Sequence, residues 1–262
     1  MTELAAQLHN PGVAGAFFEE TADGLVPVPE ARSPWSPDML HGRLLAGLAA
    51  RASERETPSE YRLVRLTLDM FRFPPMKPFQ VATSVARDGQ RVRAVDVSIT
   101  CDGSLVARGS SLALRTGPHP SGELWSAPEW DAPHPDTIAP PESVFAGWEF
   151  RPITPHAFSS AGRKQVWMRD NWQLVSGEDL TGNVRVALAA DLPNPLANAG
   201  AAGLQFINAD LTLTIRRPPA SEWIGVEVTN HLGEDGVAIG LCTMYDVTGA
   251  IGWSSVGAVA NE

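Results

Sequence analysis

Asp191 is the strongest candidate for a general base in this chain. It follows an apolar helical run at 184–188. Burial beside such a run raises the pKa of a carboxylate and makes it more basic, as proton abstraction requires. In a simpler interpretation, Asp191 only ends the helix before Leu192 and Pro193. The residues alone favour that structural role.

A second group of polar residues occupies one predicted strand. Four polar side chains alternate there and share one face, because side chains on a strand alternate with period two: Asn208, Asp210, Thr212 and Thr214. The two threonines fit an ordinary half-exposed strand. Asn208 and Asp210 lie near the strand start, where they are better placed to approach Asp191. For these two, a structural and a functional role are equally supported.

His41 and Gly42 lie within the first predicted helix. The imidazole, or the backbone N–H of Gly42, could donate a hydrogen bond to a carbonyl oxygen that gains negative charge during a reaction. A histidine facing solvent or a backbone carbonyl is the ordinary alternative. The pattern slightly favours that alternative for His41.

Motifs of several other chemistries are absent from the sequence. It contains no Gly-x-Ser-x-Gly nucleophile elbow, no Gly-x-Gly-x-x-Gly loop and no Walker loop. No His and Cys pair has metal-ligand spacing, so we predict no metal and no cofactor. Phosphate groups would need surface arginines such as Arg216 and Arg217, which flank a Pro-Pro turn. A solvated turn is the commoner explanation of such arginines.

Composition narrows the class of partner and the compartment. The 262 residues carry a net charge of −10, which argues against nonspecific binding to nucleic acid or to a membrane surface. No apolar run reaches the roughly 18 residues of a membrane span. The first residues lack the basic and apolar regions of a signal peptide. We therefore expect a cytoplasmic protein whose two cysteines are small buried thiols.

The two halves of the chain repeat each other around a double-proline turn. Residues 64–81 and 207–226 each contain an alternating strand, a Pro-Pro stop and an aromatic residue that opens the next strand. A repeat of this length indicates a duplicated domain. We predict an N-terminal domain at 1–115, a proline-rich linker at 116–146 that lies along the surface, and a C-terminal domain at 147–262.

Each half is predicted to hold one main helix and an antiparallel meander. The first helix has Ser36 as N-cap and Pro37 at its first position, with Arg43 and Arg51 on the surface. The second covers 183–190, and prolines at 193 and 195 end or kink it. Predicted strands lie near 14–19 and at 64–73, 80–86, 92–100, 105–114, 166–175, 206–216, 223–230, 236–245 and 250–259. Asp-Gly pairs between such runs indicate hairpins. A sheet that wraps a helix, built twice, is an α+β double hotdog.

Four segments together carry a family resemblance. They are Met39-Leu40-His41-Gly42-Arg43-Leu44-Leu45-Ala46-Gly47, Ala189-Ala190-Asp191-Leu192-Pro193-Asn194-Pro195-Leu196, the run 208–219 with Glu222-Trp223, and Tyr245-Asp246-Val247-Thr248-Gly249. They resemble the glycine-bearing helix, the Asp-containing helix motif, the second-domain strand and turn, and the last hairpin of the double-hotdog acyl-CoA thioesterases. This family is akin to acyl-CoA thioesterase II of bacteria. The resemblance covers nearly all of the chain outside the linker.

The resemblance implies hydrolysis of an acyl-CoA thioester by water, without a serine nucleophile. Family members hold and activate that water with an Asp, a Thr- or Asn-type hydrogen-bonding residue and a Gln. Asp191 matches the Asp, and Asn208 falls at the Thr-type position with Asp210 as a second candidate. Where the Gln is expected, this chain has Ser254 and Ser255. One of these serines would then orient the water, and we name Ser255 as the candidate.

Substrate contacts and competing functions complete the prediction. His41 and Gly42 would meet the thioester carbonyl, and Arg216 and Arg217 the phosphates of the acyl-CoA partner. The missing Gln favours one alternative, a non-catalytic acyl or acyl-CoA binding protein on the same fold. A hotdog hydratase ranks last, because Asp191 has no neighbouring helix histidine. The internal pseudo-dimer could also assemble into a homo-oligomer.

Overall fold

The computed structural model describes residues 15–126, 129–140 and 147–261. Its strands are β1 Ala16–Thr21, β2 Gly24–Pro27, β3 Arg32–Ser33, β4 Ser36–Leu40, β5 Tyr61–Met70, β6 Phe79–Asp88, β7 Val92–Cys101, β8 Ser104–Arg115, β9 Trp148–Pro152, β10 Gln165–Asp170, β11 Gln173–Val175, β12 Ala199–Gly200, β13 Gly203–Leu204, β14 Phe206–Asn208, β15 Asp210–Ile215, β16 Ile224–Glu234, β17 Val237–Asp246 and β18 Gly249–Ala260. The helices are α1 Arg43–Arg55, α2 Gly182–Ala189 and α3 Pro193–Asn198.

One long sheet joins the two halves edge to edge. Its order is β11-β1-β2-β6-β7-β8-β5-β15-β18-β17-β16-β10-β9, and β14 also pairs with β18. At the centre, β5 of the first half runs antiparallel to β15 of the second, with Leu68 opposite Leu211 and Leu66 opposite Leu213. These four leucines are fully buried, so the seam is part of the hydrophobic core.

The helices pack against this sheet. In the first half α1 packs on β5 to β8, and in the second half α3 packs on β16 to β18. The helices α1 and α2 pack closely at Gly47, where a Cβ atom would lie only 2.7 Å from Leu188 Cδ2. Two helix-on-sheet units with a shared core form the α+β double hotdog, which confirms the predicted fold class.

Some predicted element boundaries are wrong. Ser36 is not a helix N-cap: β4 begins there, pairs with β3, and places the Leu40 N–H on the Pro74 carbonyl at 2.8 Å. The helix begins only at Arg43, with Gly42 as its N-cap. Long-range strand pairing therefore outweighs the local capping signal. The predicted strands at 166–175 and 206–216 are each interrupted, so that each forms two strands.

Residues 129–140 of the linker lie on the second half. Trp130 stacks on Tyr245, with ring centroids 4.2 Å apart, and lies over Gly225, where a Cβ would overlap the indole ring. By contrast, Trp125 is 88% exposed. Residues 127–128 and 141–146 of the linker fall outside the described residues. The domain boundaries stay a prediction.

Two further predictions concern cysteines and the membrane. Cys101 and Cys242 are free thiols and both are buried, as predicted. Among the helices of the described residues, none is both long and apolar enough to cross a membrane.

Candidate active site

Asp191 lies in the break between α2 and α3. Pro193 begins α3, because a proline is tolerated in the first helical turn but not in the middle of a continuous helix. The Ser254 hydroxyl donates to the Ala190 carbonyl at 2.7 Å, and the Asn194 N–H donates to the Asp191 carbonyl at 3.2 Å. The backbone on both sides of Asp191 is therefore anchored, and the residue itself is only 8% exposed.

A chain of amides orients the Asp191 carboxylate. Asn208 Nδ2 donates to Asp191 Oδ1 at 2.7 Å, and Asn208 Oδ1 accepts from Asn194 Nδ2 at 3.2 Å. Asn194 Oδ1 in turn accepts from Asn198 Nδ2 at 2.9 Å. Because each amide is held by the next, Asn208 keeps its NH2 group toward Asp191. The other carboxylate oxygen, Oδ2, faces the first half.

A β-bulge at Ala209 decides which way Asn208 points. On β14, Asn208 is paired with Ala258, whereas on β15 Thr212 is paired with Ser255, so the two registers differ by one residue. Asn208 therefore shares the inner face with buried Ala258. The predicted common face for Asn208 and Thr212 is wrong, because the bulge reverses the alternation between them.

Asp210 and Ser255 lie on the outer face of the sheet. The Asp210 carboxylate accepts the Gly257 N–H at 2.5 Å, next to the bulge. Ser255 neighbours fully buried Ser254 on β18, so their side chains point to opposite faces. Neither Asp210 nor Ser255 is brought to Asp191. The hydroxyl of Ser254 does lie beneath Asp191, but it is bonded to the Ala190 carbonyl.

The first half contributes the start of α1. Gly42 has ordinary helical angles, φ −54° and ψ −36°. A Cβ built on Gly42 would lie 3.8 Å from Asp191 Oδ2 and 3.6 Å from Met70 Sδ. Asp191 therefore faces a helix N-terminus, whose N–H groups and dipole favour negative charge.

His41 is a neutral hydrogen-bonding group beside Asp191. Its Nδ1 is 4.0 Å from Asp191 Oδ2, and its ring meets Trp148 edge to face at 5.2 Å. Burial, and then the charge of Arg43, lower the pKa of His41 to about 3. At neutral pH the two side chains therefore form no ion pair. Since Nδ1 accepts the Arg43 N–H at 3.4 Å, the imidazole proton is on Nε2, which can donate.

Asp191 is more basic than a surface aspartate. Burial raises its pKa, while the hydrogen bond from Asn208 and the charge of Arg43 oppose that rise. Within the described residues, no three His, Cys, Asp or Glu side chains are grouped as metal ligands. A buried carboxylate with a raised pKa beside a helix N-terminus is suited to proton transfer and to oxyanion binding.

Arg216 and Arg217 lie far from this cluster. They follow the other end of β15, about 25 Å from Asn208 at the usual rise per strand residue. Arg217 Nη1 and Nη2 bond the two Asp246 oxygens at 2.5 and 3.0 Å. The structure thus does not bring either arginine to Asp191, and the charge of Arg217 is already paired.

Sequence reasoning missed Arg43, Asn194 and Met70. Arg43 was predicted on the surface but is 2% exposed and pairs with Asp170. The i, i+4 spacing of Asn194 and Asn198 is a signal that could have indicated the amide chain. No pattern indicated that Met70, in an ordinary strand, would bound the space at Gly42.

Two family models match the chain, one in each half. Residues 31–113 match the family model of the acyl-CoA thioesterase N-terminal domain, and residues 124–255 match that of the acyl-CoA thioesterase C-terminal domain. Among curated protein sequences, none matches.

Several solved structures share the fold. A protein of Novosphingobium aromaticivorans named as a candidate thioesterase is 24% identical (86% of this chain, 88% of that chain, TM-score 0.65). The tesB protein of Mycobacterium avium subsp. paratuberculosis is 16% identical (99% and 98%, TM-score 0.69). A hot dog fold protein of Alicyclobacillus acidocaldarius is 13% identical (90% and 91%, TM-score 0.73). At these identities the likeness is one of fold.

Proposed function

From the premise that this chain belongs to the acyl-CoA thioesterase family and is a thioesterase, we propose that it hydrolyses acyl-CoA with Asp191 as the base that activates water. One observation carries the proposal. The buried Asp191 carboxylate has one oxygen held by Asn208 and the other turned toward the start of α1 at Gly42. A water molecule and a thioester carbonyl would meet in the space between them.

The reaction uses groups of both halves. Asp191 Oδ2 accepts a proton from water while the water oxygen attacks the thioester carbon. The carbonyl oxygen becomes an oxyanion, which receives hydrogen bonds from the Gly42 N–H and from His41 Nε2–H. When the C–S bond breaks, the CoA thiolate leaves and takes the proton from Asp191. The products are the free acid and CoA.

Asn208 fills the position of the Thr-type residue. Because its Nδ2 occupies Asp191 Oδ1, the proton transfer falls to Oδ2. Ser255 faces outward and takes no part in this mechanism. Asp191 then holds the water that a glutamine holds in the family pattern.

The test is release of free CoA thiol from a panel of acyl-CoAs, from C2 to C18 and with branched and aromatic acyl groups. Asp191→Asn keeps the acceptor for Asn208 but cannot take a proton, so kcat/KM should fall by about 10²–10⁴-fold. Asp210→Asn is the matched control. It lies two residues from Asn208 on the outer face and should keep its activity.

Two results would contradict this function. Full activity of Asp191→Asn would remove Asp191 from the mechanism. Tight binding of acyl-CoA by the native chain, with no turnover of any member of the panel, would identify a binding protein instead.

A further inference from the structure

We propose that the buried pair of Arg43 and Asp170 is an electrostatic positioning device: Arg43 holds Asp191 as a carboxylate, and Asp170 limits that effect. This inference rests on the proposed role of Asp191. Arg43 is therefore a positioning residue and not a group that touches the substrate.

The Arg43–Asp170 pair is deeply buried. The Arg43 side chain is 3% exposed and that of Asp170 is 1% exposed, with Nη1 and Oδ1 2.7 Å apart. Among the described residues, Arg43 Nη2 has no hydrogen-bond partner. Removing two charges from water is costly, and apolar side chains of similar volume often stabilise a protein as well or better.

Arg43 is attached to the site on two sides. It follows Gly42 directly, and its N–H bonds His41 Nδ1. Its guanidinium lies 4.1 Å from the ring centroid of Trp148, the same ring that His41 contacts edge to face. A change in the position or charge of Arg43 would therefore affect the side chains around Asp191.

Arg43 directly follows Gly42, where a Cβ atom would lie 3.8 Å from Asp191 Oδ2, and among the described residues its positive charge lowers the pKa of Asp191. The remaining neighbours are neutral, namely His41 before α1, Asn194 on α3, Asn208 on β14, Ser254 on β18 and Met70 on β5. On α2, Arg185 is committed to the Asp170 carbonyl at 2.9 Å and to Glu222. The acids Asp69 and Asp210 of the central strands lie on the outer face, paired with Arg108 and the Gly257 N–H.

The sign of each charge change follows from the reaction. Activity needs ionised Asp191, so it is lost as the pH falls through the pKa of that group. Arg43→Gln removes the cation and leaves Asp170 charged, which moves the acid limb of kcat/KM to higher pH. Asp170→Asn removes the counter-charge and moves the limb to lower pH. The double variant Arg43→Gln/Asp170→Asn should fall between the native protein and Arg43→Gln.

The experiment is the pH–rate profile of CoA release for the native protein and these three variants. A limb shift of one pH unit corresponds to about tenfold in activity at a fixed pH below the limb, and we expect shifts of about this size. Arg51→Gln is the control, since it removes another arginine of α1, one that pairs with Glu178, and should leave the limb unchanged. The double variant contains no unpaired buried charge, so it keeps the test decisive if Arg43→Gln does not fold.

The order of the variants by the pH of their acid limbs decides between the two interpretations. Opposite shifts of the two single variants, with the double variant between the native protein and Arg43→Gln, support the device. If the folded variants share the native limb, or if both single variants shift in one direction, Arg43 and Asp170 form only a structural pair. Failure of the proposed function is a separate result, because it appears as full activity of Asp191→Asn.

Discussion

The two ends of the seam between the halves share one construction and differ in chemistry. Since β5 and β15 are antiparallel, each end brings the start of one helix to the end of the helix from the other half. At the first end, α1 starts at Gly42 beside the Pro74 turn and faces Asp191. At the second end, α2 starts at Gly182 beside the Pro218 turn and faces the last turn of α1.

The sequences of the two helix starts show what was exchanged. His41-Gly42-Arg43-Leu44 aligns on its glycine with Thr181-Gly182-Asn183-Val184. The same alignment sets Arg51 opposite Asp191, and Arg51 Nε and Nη2 bond the Glu178 carboxylate at 2.7 and 2.5 Å. The position of Asp191, the proposed base, is thus held at the second end by an ion-paired arginine.

The strands follow the same pattern. A bulge interrupts β5 between Leu63 and Arg65, as a bulge interrupts β14 and β15 at Ala209. Leu63, 3% exposed, therefore occupies the place that Asn208 has at the first end.

The helix start itself is occupied at the second end. The Glu54 carboxylate accepts from Thr181 Oγ1 and from Asn183 Nδ2, both at 2.6 Å. At the first end, a Cβ atom built on Gly42 would approach Asp191 and Met70 only to van der Waals distance. Both ends thus share one backbone construction, and a few side chains distinguish the end at which hydrolysis is proposed.

The largest difference between the ends is expected from alanine at the two helix-start glycines. Gly42→Ala places a methyl group between Met70 and Asp191, where the thioester is proposed to bind, so kcat/KM should fall about 10²-fold. The backbone angles of Gly42 accept alanine, so stability should stay close to the native value.

Gly182→Ala is the matched control at the second end. Its methyl group meets Pro218 Cβ at 3.1 Å, and activity should stay near the native value. Thiol release and thermal unfolding measure both effects. Equal activities of the two variants would refute the functional difference between the ends.

Replacing Asn208 by leucine makes the first end resemble the second. Asn208→Leu removes the hydrogen bond that opposes the rise in the pKa of Asp191, and it leaves Oδ1 without that donor. Activity at neutral pH should fall about tenfold, since about 1–3 kcal/mol separates a bonded from an unbonded buried acceptor. Part of the loss should return as the pH is raised. Thr212→Val, on the outer face of the same sheet, should match the native pH profile; a parallel loss there would point to strand damage instead.

Replacement of Glu178 tests its ion pair with Arg51, which holds the position of Asp191 at the second end. The hydrogen bond from Arg51 lowers the pKa of Glu178 from its ordinary 4.5. The stabilisation is therefore complete above the unfolded-state pKa and is lost as the pH falls through the lower folded-state pKa. Glu178→Gln should reduce the free energy of unfolding by about 1–2 kcal/mol at neutral pH, with no loss of activity.

The stability curves of Glu178→Gln and the native protein should converge in acid. Glu20→Gln is the comparison, because its contact with Arg51 is 3.4 Å long and 60% of its side chain is exposed. A constant difference at all pH values would show that packing, and not charge, explains the effect.

The smallest effect is expected at the helix start of the second end. Thr181 Oγ1 accepts the Val184 N–H and caps α2. Thr181→Ala should cost about 1 kcal/mol of stability and leave thiol release unchanged, while Thr181→Ser keeps the cap. Urea unfolding of the two variants measures the difference; loss of activity in Thr181→Ala would mean that the second end also acts on substrate.

Local features of the fold could be predicted because they depend on local geometry. Asp102-Gly103 and Asp235-Gly236 have positive φ and make the hairpins that the Asp-Gly pairs predicted. The Pro-Pro turns, the alternating strands and the break at Pro193 were readable for the same reason.

Parts of the candidate site were also accessible from the sequence. The family resemblance pointed to Asp191, Asn208, His41 and Gly42, and the structure brings these four together. It also pointed to Asp210 and Ser255, whose side chains lie on the opposite face of the sheet. Asp210 follows the residue inserted at the bulge, and Ser255 is one position beyond Ser254, so it faces the other way.

The sequence by itself determined the repeated units, the turns and the residue types available for proton transfer. Tertiary structure alone decided that His41 meets Asp191, that Arg43 is buried against Asp170, and that Asn208 turns inward. The physical reason is that strand alternation and turn geometry are set by neighbouring residues. Contacts between distant segments are set by register across the sheet, and a shift of one residue reverses the face of every side chain beyond it.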